Sequence, residues 1–197
     1  MKNNRGFTLI ELLVTVVVLI VLLVLGVPEY RRMTENNRQV AAINTIVGDL
    51  NLARSEAVKR GRTVTLCGSD DGATCNTANW ESGWIAFIDV NGNQAVDNID
   101  GDLLISRNTG LPAGLTLRGI KFASNDFMQY RPNGQLVGDD DGTFVVCDIL
   151  QPTEAANSNL QRARAANVNA LGRISVAKDP DDNGTRNDIE NVDVTCP

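Results

Sequence analysis

A run of apolar residues near the start of the chain constrains the fold more than any other feature. From Phe7 to Val27 the sequence FTLIELLVTVVVLIVLLVLGV contains 21 residues and a single charge, Glu11. As an α-helix this run reaches about 30 Å, which is the thickness of the hydrocarbon core of a bilayer. No Ala-x-Ala cleavage site follows it, as a secretory signal peptide would require. The run therefore predicts a helix that stays in the membrane.

The six residues before this run predict how the helix is oriented in the membrane. Lys2 and Arg5 are basic, so the positive-inside rule places the start of the chain on the cytoplasmic side.

A carboxylate inside hydrocarbon is costly without a partner. Either Glu11 lies near the interface, or a positive charge arrives beside it. A cut between Gly6 and Phe7 would create an α-amino group able to pair with Glu11 of the same chain or of a neighbouring subunit.

The segment GFTLIEL resembles the class III signal of type IV pilins and type II secretion pseudopilins. The resemblance implies that a prepilin peptidase removes residues 1–6 as a leader peptide by cutting after Gly6. It also implies that the new N-terminal residue, Phe7, is methylated and that Glu11 is the carboxylate used in assembly. The implied partners are other minor and major pilin subunits and an inner-membrane assembly platform.

Beyond the apolar run, the pattern changes to an amphipathic helix. Pro28 is expected to kink the helix, because it lacks an N–H donor and crowds the preceding turn. Apolar residues then recur at steps of three and four from Val40 to Ala57, which predicts one buried face. Gly61 is a natural C-cap. The predicted segments are a transmembrane helix over 7–27, an amphipathic half over 28–61 and a globular head domain over 62–197.

After Gly61 the sequence changes to short runs of β-branched and aromatic residues, separated by Gly, Pro, Asn and Asp. The predicted strands are TVTLC (63–67), WIAFID (84–89), DLLIS (102–106), LTLR (115–118), FMQY (127–130), TFVVCDI (143–149) and RISVA (173–177). The RPNG stretch at 131–134 predicts a turn between two short strands. The expected fold class is α+β, with the long helix packed on an antiparallel β-sheet head.

Two blocks of this region narrow the resemblance. LARSEAVKRGRTVTLC (52–67) and WESGWIAFIDVNGN (80–93) are similar to the signature blocks of the GspH/FimT branch, which includes FimU-type minor pilins. The resemblance covers the chain well to about Ser106. It implies a low-abundance subunit that helps to start assembly near the tip of a pilus or pseudopilus. Such a subunit is anchored in the inner membrane with its head in the periplasm, and later reaches the cell surface.

Composition excludes several classes of function. The chain has no histidine, which removes the Ser-His and Cys-His nucleophile pairs and the usual transition-metal ligand. It also lacks the nucleotide-binding and metalloprotease motifs, so we expect no enzymatic activity. Beyond Glu35 there are 14 Lys and Arg against 21 Asp and Glu. An acidic domain of this kind is a poor candidate for binding nucleic acid.

The four cysteines, Cys67, Cys75, Cys147 and Cys196, do not have the spacing of a zinc site. In a domain outside the cytoplasm they can form two disulfides, with three connectivities. We favour Cys67–Cys75, which closes a small loop, and Cys147–Cys196, which ties the C-terminal tail to a strand. The alternative is four buried free thiols in a reducing compartment.

One acidic stretch suggests a calcium site, and no other cofactor is indicated. DPDDNGTRNDIE (179–190) satisfies the EF-hand loop pattern, with its key residues in register: Asp179, Asp181, Asn183, Gly184 and Glu190. Flanking helices are missing, and the alternative is a solvated turn rich in Asp and Asn. The similar stretch DVNGNQAVDNID (89–100) has Gln94 in place of the glycine and is expected to be a hairpin loop.

Two functions remain beside that of a minor pilin. A minor pseudopilin of a type II secretion system uses the same signal and helix. The other alternative is a DNA-binding pilin of natural transformation, since some FimT-type relatives bind DNA through a C-terminal GRxR motif. The matching place here is Gly172-Arg173-Ile174-Ser175, which lacks the second arginine.

The remaining basic and aromatic residues do not strengthen either alternative. A modest basic patch would use Arg162, Arg164, Arg173 and Lys178, but the acidic stretch after Lys178 opposes it. Arg162 and Arg164 are expected to lie on a solvated loop. Trp80 and Trp84 are expected to pack in the core without a binding role.

Overall fold

The computed structural model describes residues 8–97, 101–124, 126–139, 141–149, 163–180, 186–194 and 196. The chain divides into two compact units, an N-terminal unit that extends to Arg38 and a head unit that begins at Gln39. One helix, α1, covers Leu9–Arg60, and a short 3-10 helix covers Trp80–Ser82. The strands are β1 Val64–Gly68, β2 Trp84–Ile88, β3 Leu103–Asn108, β4 Leu115–Ile120, β5 Phe127–Tyr130, β6 Gly142–Asp148, β7 Arg164–Val168 and β8 Ile174–Val176.

Helix α1 has the length and the buried face that the sequence predicts. It is one continuous α-helix that contains Pro28, and the kink expected there stays a prediction. In the head unit its apolar stripe is buried, at Ala42, Ile43, Ile46, Leu50, Ala53 and Ala57. The helix ends before Gly61, whose φ of +62° lies in the left-handed region that favours glycine.

The strands form two four-stranded sheets in which every pair is antiparallel. The first has the order β3-β2-β1-β5 and the second the order β4-β6-β7-β8. The long helix followed by antiparallel sheets confirms the predicted α+β class. Seven of the strands correspond to the seven predicted runs, and β5 has the predicted bounds.

The central strands of each sheet are buried on both faces, whereas the edge strands β3 and β8 are largely exposed. One face of each sheet packs with α1 in a single core that includes Leu66, Trp84, Leu117 and Phe144. The outer face of the first sheet forms a small cluster of Cys67, Ile85 and Phe87. The outer face of the second sheet packs against C-terminal residues in a cluster of Val145, Cys147, Ala163, Ala165, Ala177 and Val194. Strands buried on both faces have continuous apolar runs rather than alternating ones, as in WIAFI and FVVC.

The prediction of a solvated loop at Arg164 was wrong, because this residue begins β7. In that strand Arg164 is half-buried and pairs in register with Val146. The segment RAANV was not recognised as a strand because Ala and Asn have low β-propensity. Its small side chains suit an interior strand, where Ala165 packs on the outer cluster and Ala166 in the main core. Arg162 lies outside the described residues.

The loop after β2 is a hairpin loop, as predicted, and the buried Asp89 organises it. Its carboxylate accepts hydrogen bonds from the backbone N–H of Gly92 at 2.7 Å, of Asn93 at 3.1 Å and of Gln94 at 3.0 Å. It also accepts the hydroxyl of Thr65 on β1 at 2.7 Å. These bonds join the loop to the sheet, since buried carboxylates need donors of this kind.

Two turns meet beside the helix, and Arg54 joins them. Its Nε donates to the carbonyl of Gly134 at 3.0 Å, and its Nη2 donates to the carbonyl of Leu171 at 3.2 Å. The turns are so close that a Cβ added at Gly172 would lie 2.1 Å from the carbonyl oxygen of Gly134. Arg54 thus holds the RPNG turn after β5 and the turn between β7 and β8 against α1.

We predict that Gly172→Ala destabilises the head more than an alanine at a comparable but open glycine. Gly172 has a φ of +72°, and its Cβ would collide with backbone. Gly92 has a φ of +74° with nothing within 4 Å of its added Cβ. We expect Gly92→Ala to cost about 1–2 kcal/mol from the left-handed conformation alone, and Gly172→Ala about 3 kcal/mol or more. Urea unfolding of the full chain in detergent measures both; equal losses would contradict the tight contact of the turns.

Candidate functional site

The start of α1 places Glu11 in a reciprocal capping arrangement with Thr8. The backbone N–H of Glu11 donates to Oγ1 of Thr8 at 3.3 Å, and the backbone N–H of Thr8 donates to Oε2 of Glu11 at 3.5 Å. This is a capping box, with Thr8 just before the first helical residue and the glutamate three residues later. In the single chain, the carboxylate of Glu11 therefore caps its own helix.

Thr8 is a functional candidate that the sequence interpretation missed, although the pattern T-x-x-E before an apolar run is a known signal. Gly6 and Phe7, the residues assigned to processing, lie outside the described residues. Their assignment stays a prediction. A cut after Gly6 would leave Thr8 as the second residue of the mature chain, so the cap would adjoin the new α-amino group.

The apolar part of α1 is exposed along its whole described length. Leu9 is 82% exposed and Leu25 is 66% exposed, and the other large apolar side chains of this part are also exposed. The hydroxyl of Thr15 is satisfied within the helix, since it donates to the carbonyl of Leu12 at 2.8 Å. By length and composition α1 could cross a membrane. An apolar surface of this size needs a lipid or protein environment.

A disulfide joins Cys67 of β1 to Cys75, with the Cα atoms 5.5 Å apart. Inside this loop the carboxylate of Asp71 accepts the hydroxyl and backbone N–H of Thr74 and the backbone N–H of Ala73. These hydrogen bonds, that of the Thr74 hydroxyl first, hold the pKa of Asp71 well below its ordinary 3.8. Arg107 of β3 donates to the carbonyl of Asp71 at 2.7 Å and so fixes the loop to the sheet edge.

The second disulfide joins Cys147 of β6 to Cys196, with the Cα atoms 5.8 Å apart. Both disulfides have the pairing that we favoured from the sequence. Before Cys196, the C-terminal segment lies on the second sheet, where the backbone N–H of Ile189 donates to the hydroxyl of Thr143 at 3.1 Å. The backbone carbonyl of Asn187 accepts from the Asn167 side chain at 3.3 Å.

Lys121 forms ion pairs with two carboxylates of the C-terminal segment. Its Nζ lies 2.7 Å from Oδ2 of Asp188 and also contacts the carboxylate of Glu190. These hydrogen bonds, that to Asp188 first, raise the pKa of Lys121. Burial alone would raise the pKa of Asp188, but the bonds from Lys121 and from backbone N–H groups outweigh it and lower that pKa.

The structure leaves the calcium prediction open. Asp181 and Asn183 lie outside the described residues, whereas Asp179 is half-buried and Glu190 is exposed. Within the described part of the chain, no group of three His, Cys, Asp or Glu side chains could hold a metal ion. Because Glu190 supplies the last ligand of the EF-hand pattern, calcium would have to displace Lys121 from it.

Of the three described cations considered for DNA binding, Arg173 lies apart from the other two. Arg173 follows Gly172 in the turn between β7 and β8, while Arg164 and Lys178 lie at the opposite end of that hairpin. Arg173 and Lys178 lie five positions apart on either side of β8, a distance of about 16 Å for extended chain. Gly172, the first residue of the GRxR-like stretch, has a structural role in the contact between the two turns.

Both tryptophans belong to the core. The Trp80 ring meets Phe144 edge to face, with 5.0 Å between the ring centroids. The indole Nε1 of Trp84 donates to Oδ2 of Asp49 on α1 at 2.7 Å. Each ring is almost completely buried, so neither presents a stacking surface to a ligand.

Comparison with known proteins gives matches along most of the chain. The family model described as Type II transport protein GspH matches residues 42–172, and the model described as Prokaryotic N-terminal methylation motif matches residues 1–27. Two curated relatives from Pseudomonas aeruginosa, both named Fimbrial protein, are each 27% identical over 124 residues, which is 60% of this chain and 77% of theirs.

The fold is similar to that of the type IV minor pilin FimU of Pseudomonas aeruginosa strain PAO1. Its crystal structure in space group P21 matches with a TM-score of 0.56 and 21% identity, over 74% of this chain and 92% of the FimU chain. A second crystal form, in space group P65, matches with a TM-score of 0.51 over 70% of this chain. At this identity the likeness concerns the fold.

We predict that Asp71→Asn lowers the melting temperature of the protein at pH 7 and that the difference from the wild type shrinks in acid. A carboxylate with a depressed pKa adds stability above its ordinary value of 3.8, and this stability is lost as the pH falls toward the depressed pKa. Thermal unfolding at pH 7 and at pH 2.5 measures the two differences. Asp70→Asn removes the same charge one residue earlier and serves as the control. A difference that stays constant with pH would refute this role of Asp71.

Proposed function

The chain belongs to the GspH family, and we propose that it is a minor pilin that takes part in the assembly and initiation of type IV pili, near the filament tip. Two matches support this proposal, the GspH model over 42–172 and the methylation motif over 1–27. The fold of a minor pilin agrees with it. The proposed role is structural, and we assign no catalytic residue.

The observation that carries the proposal is the exposed apolar part of α1 with Glu11 as its one charge. Before assembly, the bilayer of the inner membrane covers this surface, with the head in the periplasm. After assembly, helices of neighbouring subunits cover it in the filament. The apolar surface alone can pack against any apolar environment. The polar group at its end is therefore needed to make the contact specific for one partner.

Glu11 is the polar group that makes the contact specific. In the single chain its carboxylate accepts the weak 3.5 Å hydrogen bond from the N–H of Thr8. Cleavage after Gly6 by a prepilin peptidase gives Phe7 a cationic α-amino group, which is then methylated. When the amine of a neighbouring subunit approaches, the carboxylate exchanges a long hydrogen bond from an uncharged N–H for an ion pair with a cationic donor, which is stronger in a medium of low dielectric constant.

Two alternatives remain, and only the first has support of its own. A minor pseudopilin of a type II secretion system would use the same helix, and the description of the matching family refers to type II transport. A DNA-binding pilin is less well supported, because the second arginine of the motif is missing and, among the described cations, Arg173 is separated from Lys178. We therefore rank DNA reception third.

A deletion strain separates the first two roles. We expect the sheared surface fraction of this strain to lose its major pilin, and a wild-type copy to restore it. Export of a type II substrate is measured in the same strain. Normal pili with lost export would move the role to the secretion pseudopilus. Normal pili with normal export would contradict both.

We predict that Glu11→Val abolishes complementation in this assay. A hydrogen bond to a charged group contributes about 1.5–3 kcal/mol, so incorporation into filaments should fall by roughly tenfold or more. Thr15→Val is the matched control, since it removes a polar group from the same helix whose hydroxyl bonds only within its own turn. Equal incorporation of the Glu11→Val variant and the control would show that charge pairing is not required.

A further inference from the structure

The polar residues that follow the apolar part of α1 lie one bilayer thickness away from Glu11. Glu11 and Arg31 lie twenty positions apart, which corresponds to about 30 Å along an α-helix. Tyr30 is 73% exposed and Arg31 is exposed. When Arg31 lies at the outer interface, the carboxylate of Glu11 therefore lies at the inner one, near water and headgroups.

The surface around Arg31 has the chemistry that a phospholipid requires. A shallow groove on α1 is lined by four apolar residues and the arginine: Leu23, Val24, Val27, Pro28 and Arg31. The apolar residues suit an acyl chain, and a guanidinium forms paired hydrogen bonds with phosphate oxygens. Tyr30 is a residue type enriched where membrane meets water. Among the described residues, no side-chain hydrogen bond or ion pair engages Arg31.

We propose that Arg31 and this groove bind the phosphate and the upper acyl chain of a phospholipid in the outer leaflet of the inner membrane. This contact fixes how deeply α1 is inserted. The proposal deepens the proposed function and rests on it, because it requires that α1 spans the membrane.

Because Arg31 contacts lipid, removal of the leader peptide has a second effect besides creating the α-amino group of Phe7. Before processing, Lys2 and Arg5 hold the cytoplasmic end of the helix, and Arg31 holds the outer end. Removing residues 1–6 takes both inner cations away and leaves the outer contact in place. The charges left at the inner end are the new α-amino group of Phe7 and the carboxylate of Glu11, while the contact of Arg31 still holds the outer end.

The test measures the depth of the helix in vesicles. The full chain with Leu25→Cys takes a fluorescent label on this one thiol, because the four native cysteines are in disulfides. It is inserted into vesicles of phosphatidylcholine and phosphatidylglycerol, and quenching by lipids brominated at different depths locates the label. We expect Arg31→Glu to move the label outward by about one helical turn, 5 Å, because the new carboxylate is repelled by lipid phosphates. Arg31→Gln should move it less, in the same direction.

Arg62→Glu makes the same change of charge in the head and should leave the label where it is. If the label lies in the bilayer at one depth in all variants, the lipid contact of Arg31 is refuted while membrane insertion stands. If the wild-type label is not quenched by any brominated lipid, membrane insertion itself fails, and the proposed function fails with it.

Discussion

A single helix whose apolar side chains are exposed in its first part and buried in the head in its second part underlies the rest of the structure. From Leu9 to Val27 the side chains are apolar all round and exposed, so this part needs an environment that the chain does not provide for itself. From Ala42 to Ala57 the apolar side chains occupy one face, which is buried in the core of the head. The second part therefore stabilises the fold of the head, and under the proposed function the first part mediates assembly. Only the few polar residues of the first part, above all Glu11, can make its contacts specific.

In the head, each sheet has one face that does not pack against α1. Each sheet uses one face for the core that it shares with α1, which leaves the other face to be covered by short loops. Each outer face carries a disulfide, Cys67–Cys75 on the first sheet and Cys147–Cys196 on the second. Loops contribute few apolar contacts, so a covalent link that limits the unfolded chain is an effective way to stabilise them. The hydrogen bonds of Asp71 help to hold the loop on the first sheet. The ion pairs of Lys121 help to hold the C-terminal segment on the second sheet.

Features that depend on periodicity could be predicted from the sequence, and features that depend on tertiary contacts could not. The bounds of α1, its buried face and seven strands follow from apolar spacing and turn residues. Strand β7 was missed because RAANV is stabilised by its place between β6 and β8 and not by its own propensity. Arg54 contacts residues 80 and 117 positions away in the sequence, so no local pattern indicates its bridging role. At the site, Glu11 was evident as a lone charge, whereas the Thr8 cap was recognised only from its geometry.

The central claim is that this chain is a processed subunit whose helix begins at Phe7 and enters a filament. The most direct test is the intact mass of the protein recovered from the sheared surface fraction of the producing cells. The account predicts a chain that begins at Phe7, carries one added methyl group and lacks the four hydrogens lost in forming two disulfides. A chain that still begins at Met1 in this fraction would contradict it.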